Sequence, residues 1–268
     1  MSYYFCIGSF NTNKMNYNTS LRPKIDNIAY IISHELFDVV ALQEVCRAEA
    51  LDELCKRLPG NWKYDYSDPP AEVYGRGYIW NANRLKLRDG TTPFIRTDYH
   101  IDKDGERLKR EPYYARFTPD TLGGPAVEIR LLNLHFEPTI TSYAEKEYTT
   151  LAKEIHPKFM KYIEISDSFY MPAYTLSMGD YNLSIQKCAK HNTGSFITVQ
   201  SLGTTLSNKF PAYTANDYDH FSYDENNLNG FGITVEKVDA VNKYFNNDYS
   251  KYRETVSDHV PIKIKLRF

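Results

Sequence analysis

The tightest limit on the fold comes from residues 170–182. An apolar run from Tyr170 to Leu176 leads directly into Ser177-Met178-Gly179-Asp180-Tyr181-Asn182. The run reads as a buried strand. Gly179 then lets the backbone turn, and a carboxylate and an amide follow two positions apart. On extended backbone, residues two apart point the same way, so Asp180 and Asn182 are expected to aim into one pocket at a strand's end. A carboxylate suits a hard cation such as Mg²⁺, and an amide can hold a phosphate oxygen or a water. Gly, Asp and Asn also dominate ordinary turns, so the remaining chain must decide between site and turn.

The opening of the chain reads strand–helix–strand–helix. Tyr3 to Phe10 is the first strand and Arg22 to Leu36 the first helix, with Ile25, Ile28, Ala29, Ile32 and Leu36 at helical spacing and Pro23 in the tolerated first turn. The apolar Val39-Val40-Ala41-Leu42 predicts a central strand, and Leu51, Leu54, Cys55 and Leu58 mark a second helix stopped by Pro59-Gly60. This alternation predicts layered α/β packing.

The middle is strand-rich. Strands are expected at 73–80, 84–87, 113–117 and 127–136, with turns at Asp89-Gly90 and Asp104-Gly105. Asp102-Lys103-Asp104-Gly105 has a faint calcium-loop spelling that lacks the other ligands. A long helix follows, opened by a capping box at Ser142 and Glu145 and interrupted at Pro157. Residues 183–215 read as irregular. Strands return at 218–223, 232–238 and 260–268. No repeat or linker divides the chain, which predicts a single domain over 1–268.

Composition excludes some partners. The net charge of −2 provides no global field to draw in nucleic acid, so any polyanion site must be local or borrow charge from metal ions. The 23 tyrosines suit a strand-rich protein. Cys6, Cys46, Cys55 and Cys188 fit no zinc spacing, and Cys6 and Cys55 read as reduced core residues. No apolar stretch approaches the ~20 residues of a membrane helix. The start, Met1-Ser2-Tyr3-Tyr4, lacks a signal-peptide pattern, which points to a cytoplasmic location.

Polar residues with metal or phosphate chemistry recur where predicted strands end: Asn11, Glu44, His135, Asp180 with Asn182, Asp219, and Asp258-His259. Ligand sites gather at strand ends in layered sheets. In this order, Ser-Phe-Asn, Leu-Gln-Glu-Val, Asn-x-His, Gly-Asp-x-Asn, Tyr-Asp-His and Ser-Asp-His resemble the endonuclease/exonuclease/phosphatase superfamily, and within it the deoxyribonuclease I-like nucleases. The similarity runs from Ser9 to the C-terminus. It implies an α/β (α+β) fold, a four-layer α/β/β/α sandwich with two central, mostly antiparallel sheets and helices outside.

That resemblance also implies roles. Glu44, Asp258 and Asn11 would hold Mg²⁺, with Mn²⁺ or Ca²⁺ as alternatives. Asp180 would activate the attacking water beside Asn182, and His135 and His259 would flank the phosphate, with Asp219 orienting His259. Arg110, in Arg110-Glu111-Pro112, and Tyr74 fall where the nuclease group contacts DNA. Two departures stand out. Cys46, followed by Arg47, replaces a phosphate-contacting arginine, and Arg76 replaces a glutamate that supports the first histidine. Arg76 and Arg47 are therefore candidate phosphate contacts. The implied activity is Mg²⁺-dependent phosphodiester hydrolysis, foremost a DNA endonuclease of low sequence preference, acting as a monomer. A phosphatase or phospholipid phosphodiesterase is the alternative, followed by a non-catalytic binding module.

Overall fold

The computed structural model describes residues 3–17, 22–67, 74–88, 110–120, 126–160, 163–166, 169–200, 202–209 and 213–268. The turns expected at Asp89-Gly90 and Asp104-Gly105, and the calcium-loop spelling at Asp102, lie outside these residues.

Two six-stranded sheets occupy the centre. The first contains β1 (Tyr4–Met15), β2 (Val39–Val45), β3 (Trp62–Ser67), β4 (Gly75–Asn81), β13 (Gly232–Lys237) and β14 (Ile262–Arg267), in the order β13-β14-β1-β2-β4-β3. The second contains β5 (Leu85–Leu87), β6 (Tyr113–Pro119), β7 (Glu128–His135), β10 (Ala173–Asp180), β11 (Phe196–Val199) and β12 (Asp219–Asp224), in the order β11-β12-β10-β7-β6-β5. A two-stranded pair, β8 (Ile163–Ser166) and β9 (Phe169–Met171), completes the strands among the described residues.

Each large sheet is antiparallel except at one central pair, β1 with β2 and β7 with β10. Parallel neighbours need a crossover. Between β1 and β2 it is α1 (Arg22–His34), and between β7 and β10 it includes α3 (Thr141–Thr150). The crossovers bring the carboxyl ends of both strands of a pair to the same edge, which is where the candidate residues lie.

Alternation along the strands sorts the layers. Phe5, Ile7, Val39, Ala41, Ile262, Ile264 and Leu266 of the first sheet pack against Ile129, Leu131, Leu176, Met178 and Phe221 of the second. On the outer face of the first sheet, Phe10, Val40 and Leu42 meet Ile25, Ile28 and Ile32 of α1 and Leu51 and Leu54 of α2 (Ala48–Arg57). Val241 of α5 (Ala240–Phe245) and Tyr252 of α6 (Tyr249–Thr255) join the same cluster. On the outer face of the second sheet, Leu132 and Leu134 meet Ala144 and Tyr148 of α3. This is the expected helix–sheet–sheet–helix sandwich. All four cysteines are free. Among the described residues no helix is long and apolar enough to cross a membrane.

Some local expectations change. α3 begins at Thr141 after Ile140, and no side chain caps it, so Ser142 and Glu145 do not form a capping box. The helix widens into a π-type turn at Leu151–Ile155, then tightens into a 3₁₀ turn that contains Pro157. Residues 183–215 are not wholly irregular: they include α4 (Ile185–Ala189) and β11. β3 was not predicted, because as an edge strand it has only one buried residue, Ser67, and shows no apolar run.

Gly179 is the one position in β10 where no other residue fits. Its φ is +147°, and an added Cβ would stand 1.9 Å from the Leu134 carbonyl oxygen of the neighbouring strand. At Gly8 an added Cβ meets the side chain of Phe37, which can move. Gly179→Ala is therefore expected to lower stability by about 2–4 kcal/mol in urea unfolding, and Gly8→Ala by less. Equal losses in the two variants would contradict the backbone argument.

Candidate active site

Three of the candidate residues form a row across the second sheet. Asp180 pairs with His135 on its parallel side and with Asp219 on its antiparallel side, so register alone places their side chains side by side. His220, the next residue along β12, points to the opposite face, where its ring nitrogens lie 2.8 Å from the carbonyls of Gln200 and Leu183.

The first sheet contributes the rest. Asn11 pairs with Gln43 at the end of the β1–β2 ladder, and the ladder shifts register immediately beyond. Glu44 sits in this irregularity with φ +53°, left-handed for a residue that seldom adopts it. Thr12 Oγ1 donates to the Gln43 carbonyl at 2.8 Å, beside Glu44. Bulges of this kind re-aim a side chain out of the sheet's alternation. Asn11 Nδ2 then lies 3.2 Å from Glu44 Oε1 and 3.1 Å from Asp180 Oδ2, bridging the two sheets.

Both histidines converge on Asp180. His259 Nε2 lies 3.6 Å from Asp180 Oδ2 and His135 Nε2 lies 3.9 Å from the same oxygen. His135 Nε2 is also 3.8 Å from Glu44 Oε1. On its other nitrogen, Nδ1, His259 meets Asp219 Oδ2 at 2.8 Å. That contact makes Nδ1 the donor and directs Nε2 toward Asp180.

The two rings are in opposite electrostatic environments. Burial holds His135 well below the ordinary histidine range, and Arg110, Arg76 and His259 add to the effect. Burial also opposes charge on His259, but Asp219 and Asp180 outweigh it and push the ring up to about 10. Asp180 is pushed up to about 7, by burial first and by Asp219, against the pull of His259. At neutral pH the cluster thus combines a neutral imidazole, a charged one and a carboxyl poised between its two forms.

Asn182 is not arranged as the two-residue spacing suggested. β10 ends at Asp180, and Asn182 is left-handed at φ +48°. Its backbone N–H donates to Asp180 Oδ1 at 2.9 Å, and its Nδ2 donates to the Phe136 carbonyl at 2.9 Å. The amide thus ties the ends of β7 and β10 together. Arg76 also departs from expectation. It is fully buried, and its guanidinium donates to the carbonyls of Glu111 and, at 3.3 Å, Asn133. Burial, with Arg110 nearby, pulls it down to about 9. It lies behind His135 rather than on a surface where a phosphate could reach it. Arg110 is half-buried and its side chain reaches the carbonyls of His135 and Phe136 at 3.5 and 3.4 Å. Tyr74 is partly exposed with Lys14 Nζ 5.7 Å over its ring, and Arg47 is exposed at the N-cap of α2. Asp258 is about one-third exposed, 3.8 Å from Arg253.

Three residues that the sequence reading passed over belong to this neighbourhood. Glu147 of α3 accepts the backbone N–H groups of Arg110 at 3.1 Å and Glu137 at 2.8 Å, and burial pushes it up to about 7. Lys24 of α1 is acted on by the charges of Asp258 and Glu44, and Lys14 by way of Tyr74 borders the same edge. A helix interior and a strand end hid all three, since only the tertiary fold brings them here.

The oxygen donors fit a hard cation. Glu44 and Asp258 offer carboxylates, whereas Asn11 turns its Nδ2 toward Glu44 and its Oδ1 toward the Asn13 N–H, so it holds a carboxylate rather than offering an oxygen; among the described residues no three His, Cys, Asp or Glu side chains form a ready-made cage. Mg²⁺ is held by one or two carboxylates and keeps several waters, which suits so sparse a set better than zinc or a fully protein-ligated Ca²⁺ would.

No known family profile and no curated protein matches the chain. Solved structures do. An endonuclease/exonuclease/phosphatase family protein from Bacteroides thetaiotaomicron matches with TM-score 0.65 and 15% identity, over 100% of this chain and 99% of that one. D. rerio TDP2 complexed with a single strand DNA product matches with TM-score 0.62 and 16% identity, over 98% of each chain. A mannosyl-6-phosphatase from Bacteroides thetaiotaomicron matches with TM-score 0.62 and 16% identity, over 98% of this chain and 100% of that one. At these identities the likeness establishes the fold. The chain has the deoxyribonuclease I-like sandwich of the endonuclease/exonuclease/phosphatase proteins along its whole length.

Two measurements check the electrostatics. Asp219→Asn removes the first group that raises His259, so the NMR titration of its ring should move well below about 10. An unchanged midpoint would contradict the assigned pairing. Glu147 holds its proton up to about 7 in the fold, against 4.5 for an ordinary glutamate. The native state therefore binds more protons than the unfolded state between these values, and stability falls across that window as pH rises. Glu147→Gln should flatten this part of the stability–pH curve in urea unfolding, whatever its effect on the overall level.

Proposed function

We propose that the protein is a divalent-metal-dependent phosphodiesterase acting on nucleic acid, foremost an endonuclease that nicks DNA with little sequence preference, with residues 1–268 as one catalytic domain. The observation that carries this reading is the convergence on Asp180: two histidines of opposite charge state within 4 Å of one carboxylate oxygen, and Asn11 joining that carboxylate to Glu44. The fold likeness supports it.

Hydrolysis joins a water oxygen to phosphorus and breaks the bond to the leaving oxygen, which then takes a proton. Asp180, poised near neutral by burial, accepts the proton of the attacking water. His259, kept charged by Asp219, stabilises the charge that gathers on the phosphoryl oxygens and has a proton to give. His135, held neutral, can donate one hydrogen bond to the phosphate without adding charge. Asn182 fixes the loop that carries Asp180, and Arg110 sits beside the end of β7 as a phosphate contact. Tyr74 and Arg47 would line the approach. Glu44 and Asp258, with Asn11 beside them, would hold a divalent cation, and such a cation would supply positive charge to the phosphate.

The likeness to the mannosyl-6-phosphatase favours a second reading, the same chemistry on a small phosphomonoester. One experiment separates the two. Supercoiled plasmid and a panel of phosphomonoesters and lipid phosphodiesters are incubated with the protein in Mg²⁺ or in chelator. The expected outcome is nicking that needs the metal and falls by at least about a hundredfold in both Glu44→Gln and Asp180→Asn. Nicking that survives chelation, or is equal in both variants and the wild type, would overturn the proposal. Much faster turnover of a monoester or lipid than of DNA would favour the second reading.

A further inference from the structure

The helices do not cover the whole outer face of the first sheet. α1 ends at His34, and Leu36, left-handed at φ +55°, turns the chain away and stays exposed. Past that point the start of β1, the end of β14 and the start of β13 floor an open groove of about 570 Å³. The groove lies at the opposite end of β1 from the active site, since roughly 23 Å of strand separates Tyr4 from Asn11. Register decides what it contains. Tyr4 pairs with Arg267 and Cys6 with Lys265 on one side of β14, and Gly232 with Arg267 and Thr234 with Lys265 on the other. Cross-strand partners share a face. Ile262, Ile264 and Leu266 take the inner face, so Lys263, Lys265 and Arg267 form a row on the outer one, successive members about 7 Å apart along the strand.

The three cations are not equivalent. Lys263 is buried and fully met: its Nζ donates to Glu35 Oε2 at 2.6 Å and lies 2.8 Å from Glu236 Oε1. The other oxygen of Glu35 accepts from Lys243 at 2.8 Å and from the Tyr244 hydroxyl at 2.7 Å, so this carboxylate has nothing left to offer the groove. Lys265 reaches only Glu236 Oε1, at 3.8 Å, an oxygen that Lys263 already holds. Arg267 makes no side-chain hydrogen bond or ion pair among the described residues. Cys6, across from Lys265, brings no anion, because burial pushes its thiol up to about 12. Two exposed cations thus stand unmet side by side, on a chain whose net charge is −2. The surroundings leave room for what would meet them. Gly232 keeps the floor clear beside Arg267, where an added Cβ would stand 3.5 Å from Arg267 Cβ and 3.9 Å from its Cδ. Exposed Leu36 provides an apolar wall. Exposed Tyr4 provides a ring that Arg84 steadies, with its Nη2 donating to the Tyr4 carbonyl at 2.8 Å and its Cζ 5.6 Å over the ring.

We infer that this groove is a binding site for a small organic anion, an acid group carried on a flat apolar body. The acid group, a carboxylate or a phosphate, lies between Lys265 and Arg267 beside the Thr234 hydroxyl. A guanidinium takes either oxyanion through two parallel N–H groups, and the ammonium adds a point charge. The body lies against Tyr4 and Leu36. The volume is that of a small-molecule site, and charge complementarity selects an anion. The inference goes beyond the phosphodiesterase reading and does not rest on it, because the groove and the candidate active site share no residue.

The test is an NMR titration of the full, isotope-labelled chain, in chelator so that no metal draws an anion to the active site. The probes are phenyl phosphate, benzoate and the neutral benzamide. The anions are expected to shift the backbone N–H signals of Thr234, Lys265 and Arg267 and to leave those of Asp180 and His259 in place, with benzamide at least about tenfold weaker. The tighter of the two anions identifies the acid group. Arg267→Met and Lys265→Met should each weaken anion binding about tenfold, and Lys265→Arg should keep it. Both side chains are exposed, so these variants are expected to fold. Gly232→Leu fills the floor without removing a charge and should abolish binding. Three results overturn the site: benzamide binding as tightly as the anions, anion affinity unchanged in the Lys265→Met/Arg267→Met double variant, or shifts confined to the active-site strand ends. Tighter binding of polyglutamate than of both small anions gives the groove to an acidic protein partner and also overturns the proposal.

Discussion

The site depends on one amide. Asn11 Nδ2 donates toward Glu44 at 3.2 Å and toward Asp180 at 3.1 Å, and these carboxylates belong to different sheets. Two carboxylates brought together away from water repel each other. A neutral donor between them offsets part of that cost and fixes their separation without occupying the positive position a metal would take. Asn11 is itself pinned from both sides. Its Oδ1 accepts the Asn13 N–H at 3.0 Å, and its carbonyl accepts from Ser257 Oγ at 2.7 Å. Ser257 Oγ also accepts the His259 N–H at 3.1 Å, so the same residue sets the position of the charged histidine. Directly below, Gln43 Nε2 donates to Asn133 Oδ1 at 2.7 Å, and Asn133 Nδ2 reaches the Leu42 carbonyl at 3.0 Å. This buried amide pair links the strands that precede Glu44 and His135, so the two sheets cannot slide without breaking it.

What could be read from the chain, and what could not, follows the range of each interaction. The strand-end residues were legible because each follows an apolar run that can only be a buried strand: Val39 to Leu42 before Glu44, Leu131 to Leu134 before His135, Leu176 to Met178 before Asp180. Layered α/β packing followed from the same runs, and the four-layer sandwich from the family resemblance of the strand-end motifs. The orientation of Asn182 was not legible, because period-two alternation assumes that the strand continues, and β10 stops at Asp180. Lys24 and Glu147 were hidden because a helical residue shows only which face it occupies, and the crossover that brings that face to the sheet edge is tertiary. α5 and α6 were a different kind of miss. Asp239 and Asp248 cap them, accepting N–H groups three residues on, and both caps were visible in the sequence, but each helix spans less than two full turns and leaves little periodicity to detect.

Arg76 shows how the site keeps its division of charge. A carboxylate behind His135 would favour its protonated form. Arg76 does the opposite: it is buried among backbone carbonyls, and with Arg110 it adds to the burial that keeps the ring neutral. A buried guanidinium is costly unless its donors are met and its charge balanced. The carbonyls of Glu111 and Asn133 accept from its Nη1, and Glu147 is the buried carboxyl that acts on it in the favourable sense. Glu147 in turn holds the backbone of Arg110 and Glu137, on either side of the strand pair that ends in His135. Glu147 of α3 thus steadies the arginines whose charge faces the first histidine.

The two histidines divide the chemistry because their charge states differ. Were both rings charged, they would repel across the 3.6 and 3.9 Å contacts they share with a single oxygen of Asp180, and that carboxylate would be too strongly stabilised as an anion to accept a proton near neutral pH. Were both neutral, burial would drive Asp180 to hold its own proton and leave the phosphate with no charged donor. One neutral and one charged ring leave Asp180 near the midpoint, able to take a proton from water, while His259 has one to give. Asp219 enforces the charged half of this arrangement, and burial, with Arg110 and Arg76, the neutral half. Asp219 and His135 lie on opposite sides of the Asp180 strand, so the sheet register sets the charged pair, Asp219 with His259, on one side of Asp180 and the neutral ring on the other.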